Sequence, residues 1–421
     1  MEVALAGVIF LVTYALIATE RVDKTVAALL GGSLVVILGI VDQETAFHAI
    51  DLNVIFLLAG MMILAGILRR TGFFQWVAIR SVKVARGEPY RLLLVLSTVC
   101  ALLSAFLDNV TTVVLIAPVT LYIANVLRVS PLPFLISEIL ASNIGGAATL
   151  IGDPPNILIG SAADLGFDDF LVHMAPAAGV TFLAFLVMTR WFFKGELSVD
   201  PGVRDSVLAL DEGEVLTDRG LLRLSLSVIG VTVLGFLVAK PLGLEPGAIA
   251  LLGAAVLMLL TRSHAEEVLQ EVEWATLFFF VGLFMLVSAV VHVGIVDAVA
   301  EGLIDMTQGD PITTTLGLIW LSGLASAIID NIPYTVTAIP VVEGLAKAGI
   351  PVEPMWWALA LGACFGGNAT IVGASANVVV ANLAGRADHP ITFGRFLRYG
   401  VPVTFVSLVI STGYVFIRYL A

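Results

Sequence analysis

The sequence predicts an all-α polytopic membrane protein: two inverted five-helix repeats, with ten transmembrane helices plus two re-entrant hairpins and broken helices at the midplane. Three observations lead there. Hydrophobic residues make up 59% of the 421-residue chain and charged residues 13%, a composition foreign to ordinary soluble domains. Apolar stretches of membrane-spanning length recur from end to end. The chain also contains itself twice. Asp108-Asn109 recurs as Asp330-Asn331 at an offset of 222 residues. The same shift carries Ala28 to Ala250, Gly31 to Gly253, Gly60 to Gly282, Gly72 to Gly294, Ala78 to Ala300, Ser104 to Ser326 and Pro118 to Pro340. One residue is then lost, and at an offset of 221 Gly145-Gly146 meets Gly366-Gly367, Thr149 meets Thr370, Gly152 meets Gly373 and Asn156 meets Asn377.

The N-terminus begins Met-Glu without the basic region of a signal peptide, and its first basic residues, Arg21 and Lys24, follow the first apolar stretch. That order favours an uncleaved first helix with its N-terminus outside. Full spans are predicted near 3–18, 24–41, 53–69, 132–164 and 172–193, then 222–240, 246–262, 274–292, 354–385 and 396–418, five per half. The stretches 91–124 and 312–344 each have two short apolar arms around a polar tip, marginal for full crossings, and read as re-entrant hairpins. The domains are therefore an N-terminal repeat 1–194, a polar cytoplasmic linker 195–220 that tethers the halves, and an inverted C-terminal repeat 221–421. The charge distribution tests this arrangement. Arg21, Lys24, Arg69, Arg70 and fourteen other Lys or Arg residues fall on one side of this arrangement, and only Lys240, Lys347 and Arg418 on the other, a split of 18 to 3. Loops rich in Lys and Arg stay cytoplasmic, which places both termini outside a cell inner (plasma) membrane. An odd number of spans per half then requires the second half to insert upside down.

Composition also excludes functions. The net charge of −12 reflects scarce Lys and Arg and leaves no nucleic-acid footprint. Cys100 and Cys364 lie in apolar segments, read as space-filling, and are too few for a three-thiolate metal or metalloid site. The histidines His48, His173, His264, His292 and His389 are dispersed without ligand spacing, so neither a metal nor a cofactor is expected. The chain has no Gly-Lys dipeptide and hence no Walker A loop. Energy must come from an ion gradient or a cytoplasmic ATPase partner. Inverted repeats in an apolar chain point to a secondary transporter with its site between the halves.

Four places put polar groups at hydrocarbon depth: the hairpin tips, with Asp108, Asn109, Thr111 and Thr112 in one and Asp330, Asn331 and Thr335 in the other, and two broken spans. The first break holds Gly145, Gly146, Thr149, Gly152, Asp153 and Asn156; the second holds Gly366, Gly367, Asn368, Thr370, Gly373, Ser375 and Asn377. Each has an ordinary structural role available, as cap or close-packing glycine. Four such places arranged symmetrically are better explained as a cavity, where unwound backbone is tolerated. The half-helices starting at the tips and near Pro154 and Ser375 aim their positive ends at the midplane. The expected site is a ring of amides, hydroxyls and backbone N–H groups with the carboxylates Asp108, Asp330 and Asp153, the six glycines serving as hinges. Glu138 has no acidic repeat mate and is expected to face a polar partner within its own span.

The pattern Asp108-Asn109-Val110-Thr111-Thr112 with Asp330-Asn331-Ile332-Pro333, plus Gly152-Asp153-Pro154-Pro155-Asn156, Gly366-Gly367-Asn368-Ala369-Thr370 and Gly373-Ala374-Ser375-Ala376-Asn377, resembles the ion transporter superfamily, and in particular its ArsB/NhaD branch. That branch includes bacterial arsenite pumps, sodium/proton antiporters and the P protein. The resemblance implies an elevator mechanism and, in some members, homodimers. Dicarboxylate and citrate relatives carry Ser-Asn-Thr tips, whereas aspartates here disfavour a polyanion. Neutral arsenite or antimonite in exchange for protons fits the amide ring, with proton coupling at the aspartates. Sodium, a hard cation suited to oxygen ligands, is the alternative, as is an anion permease or channel like the P protein. An intramembrane aspartyl protease is excluded by sequence context: Asp108 follows Leu107, Asp330 follows Ile329, and Leu150 stands where a Gly-x-Gly-Asp motif needs glycine.

Overall fold

The computed structural model describes residues 2–19, 21–193, 195, 197 and 215–421, so most of the 195–220 linker lies outside the described residues. The first half runs α1 (Glu2–Thr19), α2 (Lys24–Ile37), α3 (Gln43–His48), α4 (Leu52–Arg69), α5 (Phe73–Val84), α6 (Pro89–Ser104), α7 (Asn109–Leu127), α8 (Leu132–Gly146), α9 (Pro154–Ala162), α10 (Phe167–His173) and α11 (Ala175–Phe192). The second runs α12 (Arg219–Ala239), α13 (Pro246–Thr261), α14 (Ala265–Leu269), α15 (Trp274–His292), α16 (Ile295–Thr307), α17 (Pro311–Ile328), α18 (Asn331–Lys347), α19 (Glu353–Gly366), α20 (Ser375–Arg386) and α21 (Phe393–Val415). No strand occurs among the described residues. The halves match element by element, from α2 with α13 to α9 with α20, and the match extends to backbone detail. Gly72 and Gly294, which open α5 and α16, share a left-handed φ of 78° and 77° that favours glycine.

Among the described residues, eight helices (α1, α4, α7, α11, α12, α15, α17 and α21) are long and apolar enough to cross a membrane, and α2, α6, α8 and α13 are shorter apolar helices. The hairpin arms are fuller than the sequence predicts. α7 has 19 residues and α17 has 18, because the apolar run of α7 continues through Pro118 to Leu127. The five short helices α3, α5, α10, α14 and α16 fell between the predicted spans. α16 shows why: it buries Val296 and Ala300 but places Asp297 in its first turn, too short and polar to read as a span.

The two halves interlock through glycine. A Cβ on Gly60 of α4 would lie 2.6 Å from the carbonyl carbon of Ala250 in α13, and one on Gly282 of α15 would lie 2.5 Å from that of Ala28 in α2. Exchanging the halves turns one contact into the other, so the interface is two-fold symmetric. Side chains at these positions would force backbones apart. Gly60→Ala and Gly282→Ala should each cost about 1–3 kcal/mol by overpacking and lower the thermal unfolding midpoint in detergent. Gly302→Ala, where a Cβ meets nothing within 4 Å, is the control. Equal midpoints in all three would remove this interlock.

Candidate functional site

Each broken span is clamped onto the first arm of its own hairpin by a matched set of contacts. Ser104 Oγ donates to Ser142 O at 2.7 Å, and its mate Ser326 donates to Ala363 O at 2.6 Å. Thr149 Oγ1 donates to Ala105 O, and Thr370 Oγ1 to Ala327 O at 2.7 Å. Asn156 and Asn377 reach back to the carbonyls of Thr149 and Thr370, each at 2.8 Å. These bonds satisfy carbonyls that the breaks free, which an apolar interior demands. Glycines permit the approach: a Cβ on Gly145 would lie 2.1 Å from Ala101 O, one on Gly366 2.5 Å from Gly323 O, and Gly146/Gly152 and Gly367/Gly373 face each other just as closely. None of the six has a positive φ. Close approach is their role in this conformation.

The tips then turn toward the middle. Asp108 caps α7 by accepting from Thr111 N at 2.9 Å, and Asp330 caps α18 by accepting from Ile332 N at 3.0 Å. The tip arm of each half packs on the restarted helix of the other, α7 on α20 and α18 on α9. Asn109 and Asn331 consequently meet on one acid: each donates Nδ2 to Asp153 Oδ1 at 3.2 Å. Asp153 is fully buried and holds no cap bond of its own, leaving its carboxylate for the tips.

A residue that sequence reasoning missed joins the halves. Asn143, fully buried in α8, accepts from Asn109 Nδ2 at 3.1 Å and donates to Asn368 Oδ1 at 3.0 Å and Asn377 Oδ1 at 2.9 Å. Its repeat mate is Cys364, whose thiol lies 3.4 Å from Asn156 Oδ1, the mirror of the Asn143–Asn377 bond. Three polar atoms here are buried without a protein partner: Asn109 Oδ1, Asn368 Nδ2 and Thr112 Oγ1.

The two tips differ in charge. Lys24, at the start of α2, places Nζ 3.4 Å from Asp330 Oδ2 and 2.6 Å from Ser375 Oγ, and Ser375 itself donates to Asp330 at 2.6 Å. Position 246, the mate of Lys24, is proline. Of the other expected site residues, Thr335 Oγ1 donates back to Asn331 O at 2.7 Å and Thr111 lines a side cleft, so neither side chain meets the amides. Glu138 accepts from Thr120 Oγ1 at 2.6 Å; its partner stands on α7 rather than in its own span, because α7 and α8 pack side by side.

Two clefts flank the site, and they are repeat mates. One, of about 560 Å³, runs between α15, α18 and α9 and is lined by Asp51, Phe284, Val287, Ser288 and Val336. The other, of about 60 Å³, is lined by the equivalent Glu273, Met62, Ala65, Gly66 and Val114. Among the described residues only the small one is crossed by ion pairs: Arg69 to Glu271, and Arg70 to Glu271 at 3.4 Å and to Glu267 at 3.7 Å. The equivalent positions, Val291, His292, Ala49 and Thr45, form no such lattice. The inter-half packing is symmetric, but the clefts are not.

The profile of the citrate transporter family CitMHS matches residues 14–362. The chain belongs to this family. A Mycobacterium tuberculosis protein named only as an uncharacterized transporter is 45% identical over 98% of both chains, and the 46 kDa membrane protein of Mycobacterium leprae is 44% identical over 99% of both. The human P protein is 34% identical over 99% of this chain, which spans 60% of that longer protein. Among solved structures, MtrF of Neisseria gonorrhoeae, described as an antimetabolite efflux pump, aligns over 99% of this chain and 95% of its own (TM-score 0.64, 14% identity). The YdaH transporter of Alcanivorax borkumensis, noted for an unusual topology, aligns over 99% and 98% (TM-score 0.55, 16% identity). At those identities the likeness is one of fold. This family member is thus a multi-pass membrane transporter, and its shared helical architecture positions the amide cluster.

Asn143→Ala leaves Asn368 Oδ1 and Asn377 Oδ1 without that donor and should cost about 1–3 kcal/mol, read as a lowered unfolding midpoint in detergent. Thr335→Ala removes only a bond to its own helix and should cost far less. Equal losses would deny Asn143 its bridging role.

Proposed function

We propose that this protein is a proton-coupled secondary transporter of the inner membrane that exports arsenite or antimonite by an elevator-type movement. The observation that carries this reading is the set of unpartnered buried atoms on Asn109 and Asn368, the two partners of Asn143, and on Thr112 of α7. Asn109 Oδ1 can only accept a hydrogen bond, Asn368 Nδ2 can only donate, and Thr112 Oγ1 can do either. A small neutral trihydroxy acid carries both donors and acceptors suited to such atoms. Burial makes that match selective, because each atom left unpaired is costly.

Charge supports the same choice. Lys24 supplies one positive charge against the carboxylates Asp108, Asp153 and Asp330. A citrate-like trianion would meet like charge, at about 4 kcal/mol per close pair for an effective dielectric near 20. The same acids are suited to carrying protons inward as substrate leaves. The clefts suit alternating access: the site helices move relative to α2, α4, α13 and α15, opening one cleft while ion pairs close its mate. Sodium/proton exchange is the second reading, favoured by the cation-like contacts of the Lys24 ammonium with Asp330 and Ser375. Under either reading the Lys and Arg distribution supports both termini outside.

Everted membrane vesicles carrying the protein should accumulate radiolabelled arsenite when their interior is acidified, and Asp153→Asn should abolish this without loss of folded protein. Absence of accumulation with sodium-dependent collapse of the gradient would move the assignment to sodium/proton exchange. A cysteine introduced at Val215, at the end of the linker, should resist impermeant reagents added to intact cells; labelling from outside would invert the sidedness.

A further inference from the structure

Lys24 and its partners stand on different layers of helices. α2 is packed along α15 at the glycine crossings, Thr25 Oγ1 donates to Ala275 O at 3.0 Å, and the Lys24 ammonium lies 5.1 Å above the ring of Phe279. All of these anchor Lys24 to the inter-half layer. Asp330 and Ser375 stand instead at the starts of α18 and α20, among the site helices. The ammonium is therefore a strut between two layers. A second strut lies nearby: Tyr14 of α1 donates to Pro333 O at 2.7 Å and shares a hydrogen bond of 2.5 Å with Thr337 Oγ1.

We propose that Lys24 is a tethered counter-cation that locks the deprotonated, substrate-free carrier with its large cleft open, and that a proton on Asp330 releases the lock. This rests on the proton-coupled reading above. The asymmetry of burial is the reason. The Asp330 side chain is 9% exposed and that of Lys24 is 34% exposed. Moving the site helices away from α2 returns the ammonium toward water at little cost but strands a buried carboxylate, unless that carboxylate is neutral. The proton adds to Asp330 Oδ2, the oxygen that faces the ammonium, and frees it. After the movement, Asp330 gives its proton to water on the other side, and the returning ionised carboxylate pairs with Lys24 again. One proton crosses per cycle, and an empty, unprotonated carrier stays put.

The surroundings act in one direction. Asp153 lies within electrostatic reach of both Asp330 and Asp108, and Asp108 within reach of Glu273. Asp23, the cap of α2, precedes Lys24. Each adds negative charge around the strut. Asp108 has no counterpart of Lys24, since Pro246 occupies that place. The lock is one-sided, as are the clefts.

The test needs no substrate. Ser288, half-buried on the wall of the large cleft, is replaced by cysteine, with Glu301→Cys as an exposed reference; Cys100 and Cys364 are buried. Labelling by an impermeant thiol reagent is measured in proteoliposomes from alkaline to acidic buffer, as the ratio of the two positions. With Lys24 present, acid should lower the ratio several-fold as the cleft closes. Lys24→Met should give a low ratio at every pH, Lys24→Arg should restore the pH dependence, and Asp330→Asn should match Lys24→Met. A pH-independent ratio in the parent, or an unchanged pH dependence in Lys24→Met or Asp330→Asn, would overturn the lock. If arsenite fails to accumulate in vesicles, the transport reading fails separately, because the labelling ratio involves neither arsenite nor a gradient.

Discussion

One buried carboxylate receives an amide from each half of the molecule. Asp153 takes Asn109 from one hairpin tip and Asn331 from the other, each at 3.2 Å. Neither half can build this centre alone, since Asn109 and Asp153 come from the first repeat and Asn331 from the second. Much of the surrounding structure serves to hold these three side chains together. The breaks before Pro154 and Ser375 leave backbone that would be costly in an apolar interior, so Ser104, Ser326, Thr149 and Thr370 bind it to the hairpin arms. The paired glycines let those arms come close enough to do so.

The repeat therefore has two layers with different rules. The scaffold is symmetric: Gly60 meets Ala250 as Gly282 meets Ala28, and the clamp bonds recur at nearly equal lengths. The chemistry is asymmetric. Asp153 corresponds to Ala374, Asn143 to Cys364, Asn368 to Ala147 and Lys24 to Pro246. The two-fold scaffold supplies two clefts at equivalent positions, and the sequence differences make them unlike in size and in ion pairing. Arg69, Arg70, Glu267 and Glu271 bridge the small cleft, where their mates in the large one cannot.

This division explains what could be read in advance. Apolar runs and the 222-residue offset located the main helices, the polar turns before Asn109 and Asn331 and both breaks, because membrane spans and repeats leave long, regular signals. Asn109, Asn331, Asn368, Asn377 and Asp153 stood out as polar residues in those places and do meet. Asn143 did not, since it precedes the Gly145-Gly146 pair inside an apolar stretch and its mate is a cysteine. In the sequence Lys24 gives a sidedness signal only; its reach to Asp330 spans 306 residues of sequence, and periodicity carries no trace of it. Thr335 sits near a tip by its place in the chain, its repeat mate is Val113, and its hydroxyl donates to the carbonyl of Asn331. The short helices α3, α5, α10, α14 and α16 were missed because five to thirteen residues give too brief a pattern.

The central claim is that substrate binds where the two tips meet, among Asn109, Asn143, Asn368 and Asp153. Anomalous scattering measured above the arsenic edge, from crystals grown with arsenite, tests it most directly. The account predicts a single strong peak within hydrogen-bonding distance of Asn109 Oδ1 and Asn368 Nδ2, lost in Asp153→Asn crystals. A peak elsewhere, in either cleft or beside Cys364, or a site unchanged in Asp153→Asn, would contradict it.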